Sequence, residues 1–141
     1  MMKNKKTFVF FLLVAACSGI PMLMIGLKQT LDVRLFYSHA EAMSWLTSLS
    51  ESQRADYLLN EYLDLGYLLG YTGMFFLLAG PLGLIPGILD LIETVPIILH
   101  LNHMMELPTF LGTISGVKWI SGVMVGVLIL MKFIGRRRKL E

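Results

Sequence analysis

The chain has 141 residues, 55% of them hydrophobic and only 16% charged, with a formal net charge of +2. A soluble domain usually carries about a quarter charged residues. The balance argues against a soluble domain, and the single cysteine, Cys17, excludes an intrachain disulfide. No charge falls within 7–27 or 65–89, and uncharged runs of this length predict membrane spans, because a bilayer core takes roughly 20 apolar helical residues.

The first predicted element is a span over about 7–27. "LVAACSG" after "MMKNKK" has the look of a lipoprotein signal cleaved before Cys17. The apolar run continues through "SGIPMLMIGL", however, so the reading favours an uncleaved helix with Cys17 as a small packing residue. Residues 28–56 form the longest connection. Within it "SHAE" (Ser38 to Glu41) is a capping box, and Ala42, Trp45, Leu46 and Leu49 follow the i, i+3, i+4, i+7 spacing of an amphipathic helix. A short interfacial helix on the extracytoplasmic face is expected there, capping the bundle, with Trp45 at headgroup depth. "SESQ" (Ser50 to Gln53) is a second capping box that opens the next long helix.

The middle of the chain admits two readings. One makes 65–89 a single span, for three in all. The other breaks the chain at "GPLGLIPG" (80–87), giving spans of about 57–79 and 85–105. Gly-Pro pairs punctuate helices, and Pro81 and Pro86 each lack a backbone donor. The last span covers about 109–134. Charge favours the break. Lys3, Lys5 and Lys6 precede the first span, and Arg136, Arg137, Arg138 and Lys139 follow the last. The positive-inside rule keeps both ends cytoplasmic, which requires an even number of spans and leaves Lys28, Arg34 and Arg54 outside. The fold expected is therefore all-α, an integral membrane four-helix bundle. Leu140 and Glu141 resemble an expression scar and receive no role.

This topology places Glu61, Asp64, Asp90, Glu93 and Lys118 at membrane depth. Each Asp or Lys there costs on the order of 3 kcal/mol on insertion scales, so they belong inside the bundle. At about 100° per residue, Asp90, Glu93, His100 and His103 share a stripe about 140° wide, together with the kink-prone Pro96. In the second span Tyr57, Glu61, Asp64, Leu68, Tyr71 and Phe75 follow one face, with Gly66, Gly70 and Gly73 opposite, where small residues allow close packing. Ser115, Lys118, Gly122 and Gly126 share a side of the last span. Equal depth pairs Lys118 with Glu93 or Asp90, and Asp64 with His100 or Lys118. Four acids then face one lysine, so a proton, a charged histidine or a cation is expected to complete the balance.

Three functional readings follow. The cluster is a structural polar core, or it binds or moves a proton, cation or small ligand, or it serves an intramembrane enzyme acting on a lipid-linked substrate. The ligand or ion-binding candidates are Glu61, Asp64, Asp90, Glu93, His100 and Lys118. Transport through four spans calls for a homodimer. His100, His103 and Glu93, with Asp64, carry the donor types that suit zinc or iron, but no H-E-x-x-H motif is present. No Ser-His-Asp grouping, phosphate loop or nucleic-acid motif appears, and the basic tail "RRRK" is accounted for by topology and anionic lipid. The lipid bilayer is the expected partner, and no cofactor is specified.

"LDVRLFYSHAEA" (31–42), "YLLNEYLDLGYLLGY" (57–71), Asp90-x-x-Glu93 in "DLIET" and Lys118-Trp119 in "SGVKW" together resemble a widespread group of small bacterial inner-membrane proteins of unassigned function. In that group the residue after the glutamate is often Asn; here it is Thr94. The resemblance implies a four-helix bundle in a bacterial cytoplasmic membrane and no particular activity.

Overall fold

The computed structural model describes residues 5–25, 30–31 and 34–137, with backbone alone for 136 and 137. Lys3, Lys28, Arg138 and Lys139, on which the topology argument draws, lie outside the described residues, as do Leu140 and Glu141. The described chain is all-helical, and no strand occurs within it. Its α-helices are α1 (Lys5–Ile25), α2 (His39–Ser48), α3 (Glu51–Ala79), α4 (Ile85–Leu101) and α5 (Leu111–Arg137), with a 3-10 turn at Gly80–Leu84.

Three stretches are long and apolar enough to cross a membrane: Lys5–Ile25, Glu51–Leu101 and Leu111–Gly135. The middle one is not a single rod. Gly80 ends α3 with φ 76°, a left-handed conformation that glycine adopts without a Cβ penalty. Pro81 and Pro86 follow in the first turns of the 3-10 segment and of α4, where a missing N–H costs little. The chain doubles back, so that Tyr71 meets Asp90, Asp64 meets Thr94, and Arg54 meets His100 and Leu101. These pairings define an antiparallel α3–α4 hairpin, as the Gly-Pro punctuation predicts.

Helix α1 runs antiparallel to α3 along a seam of small residues. Gly66 faces Ser18, Gly70 faces Ala15, and Gly73 faces Phe11. A Cβ on Gly70 would stand 2.5 Å from the Ala15 backbone nitrogen, so this approach is possible only without one. Helix α5 returns beside α4. The extensive pairings are α1 with α3, α3 with α4 and α4 with α5, and alternation of direction brings the start of α1 and the end of α5 to the same end of the molecule. Cys17 does not pack: it is exposed on α1, off the Phe11–Ala15–Ser18 seam, a correction to the packing role expected for it.

The opposite end is closed by α2. Ala42 and Leu46 are buried and join Tyr57, Ile97, Leu101, Leu107 and Leu111 in one apolar cluster, with Trp45 and Leu49 partly buried against it. Both capping boxes form. Ser38 caps α2 reciprocally with Glu41, and Ser50 caps α3 with Gln53. Helix ends are also tied across the hairpin. Arg54 donates to the last carbonyls of α4, and Lys132 of α5 donates to Leu78 and Ala79 at the end of α3, the favoured place for a cation on a helix dipole.

The α2 cap carries a pH prediction. Hydrogen bonds from the Ser38 backbone and hydroxyl, with Arg34 nearby, hold the Glu41 carboxyl below the usual glutamate range. A lowered folded-state pKa stabilises the helix at neutral pH, and that contribution disappears as pH falls through the lowered value. Amide chemical shifts of α2 should therefore report fraying on acidification below the ordinary glutamate range. Glu41→Gln, which keeps the box, should flatten that response; an identical response in the variant would assign the fraying elsewhere.

Candidate functional site

The inner faces of α3, α4 and α5 are polar at one level. Glu61, Asp64, Asp90, Glu93, Thr94, Ser115 and Lys118 are all buried. Each occupies the core because its helical period puts it there. Asp90, Glu93, Thr94, Ile97 and Leu101 make one stripe of α4, and Tyr57, Glu61, Asp64 and Tyr71 make one of α3, opposite the glycine seam.

Lys118 is the centre. Its Nζ lies 2.8 Å from Asp90 Oδ1 and 2.6 Å from Glu93 Oε2. Equal depth makes either Asp90 or Glu93 a partner; the ammonium takes both, since they lie three positions apart on the same helix face. The remaining oxygens are also engaged. Tyr71 donates to Asp90 Oδ2 at 2.6 Å, and Tyr37 donates to Glu93 Oε1 at 2.9 Å. The result is an unbroken run, Tyr37–Glu93–Lys118–Asp90–Tyr71, drawn from the first connection and three helices. Thr94 donates to Asp64 Oδ2 at 3.1 Å beside it, and Glu61, with no exposure, lies about one turn earlier in α3.

Tyr37 is the member that periodicity does not reveal. It belongs to no helix, and its position depends on how residues 34–37 dock on α5. There Gly112 lies under the Tyr37 carbonyl, Gly116 lies under the Phe36 ring, and Ser115 donates 2.8 Å to the Arg34 carbonyl. A one-sided 112, 115, 116 pattern of small residues is the sequence signal for such a seat, but nothing in the sequence says which segment fills it.

The two candidate histidines lie at the C-terminal end of α4 and just past it. His100 Nδ1 meets the Met105 carbonyl at 3.2 Å. His103 lies past the end of α4, which stops at Leu101 and not at 105. The end is a Schellman motif: His103 N–H bonds to His100 O, Met104 N–H bonds to Leu99 O, and His103 sits at φ 57°. Extrapolating the helical stripe to His103 therefore fails, because the helix has already ended. Among the described residues no group of three or more His, Cys, Asp or Glu side chains is arranged to hold a metal, so His100, His103 and Glu93 do not form a common donor set.

Comparison of the chain with protein-family models, with curated proteins and with solved structures returned no match in any of the three.

Proposed function

We propose that the chain is an integral protein of a bacterial cytoplasmic membrane, a four-span bundle with both termini on the cytoplasmic side, whose buried cluster binds or carries a proton or a small cation. The antiparallel hairpin and the shared end for Lys5, Lys6 and the α5 terminus support the even span count. Exposed Leu23, Met24, Ile120, Val123, Met124 and Met131 support lipid around the helices, because a soluble surface rarely shows so much contiguous apolar area.

One observation carries the functional reading. Among the described residues, four buried carboxyl groups share the interior with one buried lysine. Were all ionised, the buried carboxylates would outnumber the buried lysine, and a net charge in a low-dielectric interior costs several kcal/mol. A proton or small cation shared among Glu61, Asp64, Asp90 and Glu93 is the smallest species that offsets such an excess. The tyrosine hydroxyls at both ends of the run can pass a proton along, since each both donates and accepts.

Infrared difference spectroscopy of the purified protein near neutral pH, combined with elemental analysis, tests this. We expect either a protonated-carboxyl band or one tightly held cation, and loss of that signal in Asp64→Asn or Glu61→Gln. Four ionised carboxylates with no bound cation would sink the proposal. A cluster of that kind would fix helix register and nothing more.

A further inference from the structure

The surface beside α2 holds a shallow, open groove lined by Arg34, Ala40, Glu41, Ser44, Trp45 and Ser48. It shares no residue with the Lys118 run. Its charged members are unusually well held. Arg34 is pinned at its backbone, where its N–H bonds to Leu31 O at 3.0 Å and its carbonyl accepts from buried Ser115 at 2.8 Å. Its guanidinium carbon lies 6.0 Å from the Trp45 ring centroid, close enough for a cation–π contribution. Trp45 is itself fixed edge-on against buried Tyr57, with centroids 4.8 Å apart.

Glu41 is fixed from the other side, because its Oε2 accepts the Ser38 N–H in the capping box. Arg34 and Glu41 are near enough to feel each other electrostatically. Arg34 and Glu41 nevertheless do not join in an ion pair. Two anchored opposite charges that border one groove without closing on each other match a ligand carrying both signs. The guanidinium offers a planar fork suited to a phosphate. The carboxylate and the Ser48 hydroxyl, whose proton is already given to the Trp45 carbonyl, offer acceptors to an ammonium.

We infer that this groove binds a phosphoethanolamine group, with the phosphate on Arg34 and the primary ammonium on Glu41. Leu35 and Phe36, 62% and 65% exposed, follow Arg34 directly, and apolar side chains beside a phosphate site are what the acyl chains of a phospholipid would cover. The lipid source rests on the membrane placement proposed above, and does not rest on the acidic cluster.

Native mass spectrometry of the full chain in detergent tests the inference, with phosphatidylethanolamine and phosphatidylglycerol of equal acyl length and, in a separate arm, soluble O-phosphoethanolamine. Wild type should retain the ethanolamine lipid preferentially. Arg34→Gln should weaken retention of both lipids about tenfold or more, the scale of one charge-assisted hydrogen bond. Glu41→Gln, which preserves the capping box, should remove the preference and spare phosphatidylglycerol. Competition by the soluble compound at equal strength would keep the chemistry and assign it a soluble source. Equal retention of the two lipids by wild type, or an unchanged preference in Glu41→Gln, would overturn the inference. Because no cluster residue is altered, that failure would leave the infrared result standing, and the reverse holds as well.

Discussion

Lys118→Met is expected to be the most damaging single change to the core. It removes the ammonium that lies 2.8 Å from Asp90 and 2.6 Å from Glu93 and leaves both carboxyls buried. Breaking one side of a buried ion pair typically costs about 3–5 kcal/mol, because the stranded charge has to be neutralised or hydrated. The cost comes from the orphaned acids, not from the loss of an attraction, and this distinction is testable. The triple variant Lys118→Met, Asp90→Asn, Glu93→Gln removes all three charges and keeps most of the volume. It should recover most of the stability, as measured by denaturant or thermal unfolding in detergent. If the triple variant is as unstable as Lys118→Met, the lysine's own packing matters more than charge and the electrostatic account is wrong.

Gly70→Ala is the second. One added methyl would meet the backbone of Ala15 at 2.5–2.7 Å, and a backbone cannot rotate away as a side chain can. Overpacking of this kind costs about 1–3 kcal/mol, occasionally more, and α1 should loosen from α3. Gly122 and Gly126 provide the internal control, since neither has anything within 4 Å of an added Cβ. Alanine at either should be harmless to the single chain, or should stabilise α5 by up to about 1 kcal/mol through helix propensity. A common loss in all three variants would mean that the α1–α3 seam is not special, or that a second copy covers the face of α5 that bears Gly122 and Gly126.

Much of the architecture is legible in the sequence because its causes are local or periodic. The two capping boxes, at Ser38 and Ser50, need only four residues each. The break at 80–87 follows from a glycine and two prolines. The division of α3 into a glycine face and a polar face is visible in its 3.6-residue period, and equal depth on antiparallel helices is enough to pair Lys118 with α4. What escapes has tertiary causes. Tyr37 reaches Glu93 because a non-helical segment fits small residues on α5. The C-terminal end of α4 is set by backbone hydrogen bonds around His103, a residue with no glycine to announce a left-handed turn. Cys17 looks like a packing residue in an apolar run, and only the direction of the α1–α3 seam shows that it faces outward.

The placement of Tyr37 has a mechanical consequence. The same short segment that hydrogen-bonds Glu93 runs directly into α2, so the external cap and the internal charge are fastened by one hook. Whatever lifts α2 from the bundle withdraws a donor from Glu93, and whatever changes the charge on Glu93 alters the grip on α2. Thermodynamic reciprocity requires the two effects to be equal in free energy. The molecule's outer lid is thereby a gauge of the charge state of its interior.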